Sequence, residues 1–159
     1  GRAFCSTRSF YCGLCKKPKG RLMAKIYFDT TPLIYFLDDE KPFSDKVANF
    51  ILEHQNESDL YCTSAITDSE YLVFPYRQND YEKINSYEIF LNDFEFQILE
   101  SNRAITHKAA EIRAKYPGVK GMDSIHLATS LYAKCDIFLT NDTRLKQVSE
   151  VNVVLVDEL

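Results

Sequence analysis

The chain has 159 residues, 45% of them hydrophobic and 26% charged, which suits one domain with one core and excludes a disordered polymer. No apolar run approaches the roughly 20 residues of a membrane span, and the N-terminus lacks the apolar centre of a signal peptide, so the chain reads as cytoplasmic. The formal net charge of −4 is unevenly spread: residues 1–22 carry six basic side chains and no acid, leaving 13 basic against 23 acidic, or −10, on residues 23–159. A domain of that sign does not attract nucleic acid through its overall field. RNA contact would need a local basic patch, bound metal, or both.

Residues 1–22 (GRAFCSTRSFYCGLCKKPKGRL) hold three of the five cysteines and show no sustained periodicity. They read as a basic N-terminal extension, an appended leader or a disordered segment, ahead of a domain over 23–159 that opens MAKIYFDTT. A zinc knuckle around Cys12-Gly-Leu-Cys15 lacks a fourth ligand, since only Cys5 is near and the segment has no His. A redox CxxC would open a helix after a strand, whereas here KKPKG follows. Cys62 and Cys135 sit in apolar contexts and read as buried thiols.

From there strand-like and helix-like stretches alternate. Lys25–Asp29 is a short β-rich run. Thr31 offers an N-cap and Pro32 suits a first helical turn, so residues 32–37 should be a short helix. Residues 43–54 place Val47, Phe50, Ile51 and His54 at helical spacing. Residues 60–63 form a second strand, and residues 67–74 a helix stopped by Pro75. Residues 81–93 carry Ile84, Tyr87, Phe90 and Leu91 on one face. A short strand over 96–99 precedes a helix over 104–116, closed by Pro117-Gly118. A helix over 122–134, a strand over 136–140 and a last strand over 153–156 complete the pattern. Strands separated by helices imply a three-layer α/β/α fold with a central, mostly parallel sheet. The all-apolar runs DIFLT and VVLV suit strands covered on both faces.

In such sheets ligands bind beyond the carboxyl ends of the strands. KIYF runs into Asp29, LYCT leads on to Asp68 and Glu70, and DIFLT runs into Asn141-Asp142. The helix opening at Gly121 carries Asp123 in its first turn. Each acid also has a local reading. Asp29 can start a turn, Glu70 can close a capping box with Thr67, Asp123 can answer the positive end of its helix, and Asp142 can cap the turn after it. Together they suggest more. Two carboxylates about 4 Å apart repel by about 4 kcal/mol at an effective dielectric of 20, so a cluster needs protons or a cation. Oxygen-only ligands favour Mg²⁺ or Mn²⁺, and such a site suits phosphodiester hydrolysis.

At these residues the sequence resembles the PIN-domain family, especially its VapC-type toxin branch. IYFDTTPLIYFL is similar to the family's first motif, SAITDSEYL to the second, and GMDSIHLATSLYAKCDIFLTNDTRL to the third and fourth. The last of these is the most specific stretch. Thr31 stands where many relatives have Asn or Ser. The resemblance implies a PIN-like fold, a Mg²⁺/Mn²⁺-dependent endoribonuclease, and Asp29, Glu70, Asp123 and Asp142 as metal-binding acids. Thr30 and Thr140 would be supporting hydroxyls near metal or phosphate, with Asn141 as a further contact. For the toxin branch it also implies a homodimer and a cognate antitoxin that blocks the site. An RNA-maturation nuclease and a non-catalytic protein-interaction module are the alternatives.

A dehalogenase-type phosphatase usually has a second Asp two residues after the first, where this chain has Thr31. No phosphate-cradling glycine motif is present. Arg144 and Lys146, and separately Arg103, Lys108, Arg113, Lys115 and Lys120, could contact RNA phosphates or simply coat solvated helix faces. Arg144 is included among the substrate-binding candidates. Tyr71, Tyr76, Tyr81 and Tyr87 could stack bases or build an interface. His126 follows Asp123 by three positions and could face the site or lie satisfied in the core.

Overall fold

A computed structural model describes residues 22–159. The basic segment and the Cys12–Cys15 pair fall almost wholly outside the described residues. Strand β1 (Lys25–Phe28) leads into helices α1 (Thr30–Leu37) and α2 (Phe43–Asn56). Strand β2 (Leu60–Ser64) is followed by α3 (Ala65–Tyr71), α4 (Val73–Gln78) and α5 (Tyr81–Asp93). Strand β3 (Gln97–Leu99), α6 (Arg103–Lys115), α7 (Gly121–Tyr132), β4 (Ile137–Thr140) and β5 (Val153–Leu155) complete the order, with 3₁₀ turns at Thr143–Gln147 and Val156–Glu158.

The five strands form one sheet in the order β3-β2-β1-β4-β5, and every pairing is parallel. Strand β1 lies at the centre, and chain direction across the sheet reverses there, between β2 and β4. Alternation along β1 sorts its side chains to the two faces. Ile26 and Phe28 join Leu33, Val47, Ile51, Tyr87 and Phe90 in one core layer, under α1, α2 and α5. Tyr27 joins Phe138, Ile105, Ile112 and Leu127 in the other, under α6 and α7. The three layers expected from the sequence are therefore present.

Three local expectations give way. The cap of α1 is Asp29, not Thr31: the Asp29 carboxylate accepts from the Thr30 amide. Pro32 still lies in the first turn, where its missing N–H costs nothing. Pro75 does not stop a helix, because the chain breaks earlier, at Leu72, and restarts, placing Pro75 in the first turn of α4. That helix ends instead at Asn79, whose φ of 55° is the left-handed stop that Asn tolerates. Ser64, not Thr67, caps α3 by accepting from the Ile66 amide. Thr67 is buried and bonds Thr63 at 2.7 Å, so no Thr67–Glu70 capping box forms.

The tyrosines divide. Tyr71 and Tyr87 are buried and stack on one another with centroids 4.8 Å apart, which removes them as base-stacking surfaces. Tyr76 and Tyr81 are exposed, as are Val73, Phe74 and Ile89. Cys62 is buried and Cys135 half-buried, and both are free thiols 3.3 Å apart. No helix among the described residues is long and apolar enough to cross a membrane.

Candidate active site

Residue placement follows from strand ends. Asp29 leaves β1, Glu70 sits on α3 just after β2, Asp142 follows β4, and Asp123 lies in the first turn of α7. The parallel sheet brings these positions to its carboxyl edge, at the point where strand order reverses.

Asp29 is buried, with 7% exposure. One carboxylate oxygen accepts from the Thr30 amide at 2.9 Å and the other from the Thr140 hydroxyl at 2.7 Å. Burial raises its pKa; the nearby His126 charge and both hydrogen bonds pull against this, and the Asp123 charge adds to it. Asp29 and Asp123 thus feel one another electrostatically.

Glu70 reaches the same centre from α3. Its Oε2 accepts from the Thr30 hydroxyl and lies 2.9 Å from His126 Nε2. Burial alone would raise the Glu70 pKa, but the hydrogen bonds from His126 and Thr30 outweigh it, so the carboxyl is held below its ordinary value. The opposite balance applies to His126: burial would lower its pKa, and the Glu70 hydrogen bond with the Asp29, Glu70 and Asp123 charges raises it. His126 Nε2 also lies 3.9 Å from Asp29 Oδ1. The imidazole is therefore both fully buried, at 1% exposure, and inside the acidic site, so the two readings of its spacing hold together.

Asp142 and Asp123 meet at Arg144. Asp142 caps the 3₁₀ turn after β4 by accepting from the Arg144 amide at 2.9 Å, so its local role is real. The Arg144 guanidinium grips the same carboxylate and lies 4.0 Å from Asp123 Oδ2. Its hydrogen bond holds the Asp142 carboxyl below its ordinary value. Asp123 Oδ2 is buried yet accepts no hydrogen bond. A buried carboxylate oxygen without a donor is costly, and a hard cation is one way to satisfy it. Among the described residues these four acids do not form a group with all ligand atoms within 4.8 Å of one another; what fits Mg²⁺ or Mn²⁺ is their chemistry, oxygen donors only, carried by four chain segments at one edge of the sheet.

The supporting candidates have distinct tasks. Thr140 is fully buried; it donates to Asp29 and accepts from the Asp142 amide at 3.1 Å, so it aims two acids at once. Thr30 is likewise buried and holds Glu70. Asn141 is committed elsewhere: its amide donates to the Tyr35 hydroxyl at 3.3 Å and accepts from the Asp157 amide at 3.0 Å, tying down the C-terminal turn. Lys146 is paired with Glu158, which is none of the four acids.

A groove of about 710 Å³ opens beside the acids, lined by Glu70 and Asp123 together with Arg113 and Lys120. Ala109, Ala110, Met122 and Ile125 supply its apolar lining. Arg113 and Lys120 were part of a diffuse basic supply in the sequence; their sharing of one groove with two acids appears only in the fold.

Among the described residues, His54, Glu57 and Asp59 have ligand atoms all within 4.8 Å of one another. They lie at the opposite, amino edge of the sheet, where Asp59 also accepts from the Ala24 amide at 2.7 Å and His54 bonds Asp59 at 2.6 Å. That group is a turn lock between α2 and β2, separate from the acids at the carboxyl edge.

The profile of the PIN domain family matches residues 26–151. The chain belongs to the PIN domain family. No curated protein matches it in sequence. Among solved structures, it is similar to a chain of the VapBC2 complex of Rickettsia felis bound to a promoter DNA fragment, with a TM-score of 0.69 at 15% identity, covering 82% of this chain and 98% of that one. It is also similar to a chain of a toxin–antitoxin complex from Klebsiella pneumoniae (TM-score 0.65, 20% identity, 84% and 99% covered). A chain of FitAcB from Neisseria gonorrhoeae gives a TM-score of 0.62 at 21% identity, with 84% and 99% covered. At these identities the likeness is one of fold.

Proposed function

We propose that the protein is a Mg²⁺- or Mn²⁺-dependent endoribonuclease, the toxin of a toxin–antitoxin pair acting in the cytoplasm. The observation that carries this reading is the buried Asp123 Oδ2 with no hydrogen-bond donor, at the carboxyl edge of the sheet that Asp29, Glu70 and Asp142 also follow in the chain. Asp29, Glu70, Asp123 and Asp142 would hold the cation. When bound, the cation supplies an activated water and offsets charge on the scissile phosphate. The chain's own part is positional. Thr30 and Thr140 fix the directions of Glu70 and Asp29, and Arg113 and Lys120 give RNA phosphates a local positive footing on a domain of net negative charge.

The presence of all four acids speaks for a working nuclease over a protein-interaction module that merely keeps the fold. The toxin reading draws support from the toxin–antitoxin complexes among its structural neighbours. A cognate antitoxin would cover the acidic edge. The exposed Val73, Phe74, Tyr76, Tyr81 and Ile89 offer apolar surface for the expected homodimer.

Incubation of purified protein with structured RNAs in Mg²⁺, Mn²⁺ or EDTA tests the activity. Cleavage in either metal that stops in EDTA and in Asp29→Asn is the expected result. Cleavage that survives EDTA overturns the metal requirement, and no cleavage across a broad RNA set favours the interaction module.

A further inference from the structure

Two buried aromatic side chains stand behind Glu70. Tyr27, on the central strand, has no exposure, and its hydroxyl lies 2.7 Å from His126 Nδ1. His126 Nε2, on the far side of the same ring, lies 2.9 Å from Glu70 Oε2. The three residues come from β1, α7 and α3, so the row spans three separately encoded elements. The family match places none of these contacts, and neither Tyr27 nor His126 is one of the acids.

The direction of the row follows from hydrogen-bond chemistry. The Tyr27 hydroxyl lies within hydrogen-bond distance of Nδ1 and, as an O–H, can donate to it. A neutral ring that accepts at Nδ1 carries its proton on Nε2. A charged ring carries protons on both nitrogens. In either state an N–H points at Glu70 Oε2. The Thr30 hydroxyl donates to that same oxygen. Two donors thus saturate Oε2, which leaves Oε1 as the Glu70 oxygen available to a cation.

We propose that Tyr27 and His126 are positioning residues that hold Glu70 as a one-oxygen metal ligand. This rests on the metal-dependent reading of the site. Glu70 has the longest side chain of the four candidate acids, is partly exposed, and sits on a seven-residue helix. Asp29 and Asp142 each accept a cap bond from a following backbone amide, those of Thr30 and Arg144, and Glu70 is held by side chains alone. Holding its carboxylate from behind removes rotamer freedom that metal binding would otherwise have to overcome.

Calorimetric titration of Mn²⁺ into metal-free protein tests the assignment without reference to cleavage. His126→Leu should weaken Mn²⁺ affinity by about 10–100-fold, the usual cost of losing a group that orients a ligand. His126→Gln, which keeps an N–H at the same place, should recover most of it. Tyr27→Phe is isosteric and keeps the core filled; it should weaken affinity by about 2–10-fold, the effect of one hydrogen bond. In a Glu70→Gln background the His126 and Tyr27 substitutions should have much smaller effects than in the wild type. Wild-type affinity in folded Tyr27→Phe and His126→Leu overturns the assignment, as does an undiminished effect in the Glu70→Gln background. A wild-type protein that binds no Mn²⁺ overturns the metal reading itself, and this assignment with it.

Discussion

Arg144 lays its guanidinium along the Asp142 carboxylate, with Nε 2.9 and 3.1 Å from the two oxygens, and from there reaches to 4.0 Å from Asp123 Oδ2. One cation therefore serves two of the four acids in the metal-free protein. A divalent ion arriving at those acids competes with it. Arg144→Ala should tighten Mn²⁺ binding, by no more than about fivefold because the guanidinium is well exposed and the pair is screened. The same substitution should weaken binding of a non-cleavable RNA. Titration calorimetry separates the two effects, and weaker Mn²⁺ binding in Arg144→Ala would show that the arginine supports the metal rather than competing with it.

Asp29 illustrates a conflict between stability and function. Its carboxyl is raised from the ordinary value of 3.8, chiefly by burial. A raised folded pKa means stability that is fully present below the ordinary value and is lost as pH rises through the folded one. Ionising the buried carboxyl in the metal-free protein therefore opposes folding increasingly as pH rises above the ordinary value. Asp29→Asn should abolish cleavage yet raise the melting temperature of metal-free protein at pH 7 by about 2–4 °C, the equivalent of roughly 1 kcal/mol. The gain should vanish below pH 4. Addition of Mn²⁺ should stabilise the wild type and leave the variant unmoved. A variant that melts lower than wild type at pH 7 would show that its hydrogen bonds with Thr30 and Thr140 outweigh the buried charge.

Arg113 and Lys120 share a groove with Glu70 and Asp123. If RNA runs along that groove, each base lost should remove about one phosphate contact. Charge reversal, Arg113→Glu or Lys120→Glu, measured in the cleavage-dead Asp29→Asn background, should lower affinity for single-stranded RNA. Each should reduce the slope of log affinity against log salt by about 0.7. An unchanged slope in both variants would move the RNA path elsewhere.

Thr67 ties the helix that carries Glu70 to β2. It is fully buried, bonds Thr63 at 2.7 Å, and Thr63 in turn donates to the Phe28 carbonyl at 2.8 Å. Thr67→Val keeps the shape and removes the hydroxyl. It should cost about 1 kcal/mol in urea unfolding, because one buried hydrogen bond is lost while Thr63 keeps its carbonyl partner. A cost several times larger would mean that the β1–β2–α3 corner relaxes as a unit.

Local signals in the sequence carried a good part of the result. The helix over 81–93 and the strands after 25, 60, 136 and 153 were readable because periods of two and 3.6 depend only on neighbours in the chain. Asp29 and Asp142 stand out as candidates because a strand end followed by a carboxylate is also a local pattern, and Asp123 because an acid in a first helical turn is another; Glu70 has only its place on the helix after β2. Capping was less legible: Thr31 and Asp29, or Thr67 and Ser64, are equally good caps on paper, and only the angle at which the chain leaves each strand chooses between them. Pro75 was misplaced for a similar reason, since a proline two residues into a new helix has the same sequence signature as one ending the old.

What chain order could not supply is partnership. His126 meets Glu70 across 56 residues, Tyr27 meets His126 across 99, and Thr140 meets Asp29 across 111. These contacts exist because β1 sits between β2 and β4, so that α3 and α7 arrive at the same edge over the central strand. By itself the sequence determined which residues could carry the chemistry and which face of each element is apolar. The order of strands in the sheet decided which of those residues touch. That order is set by burying all the apolar faces at once, a condition on the whole chain that no short segment contains.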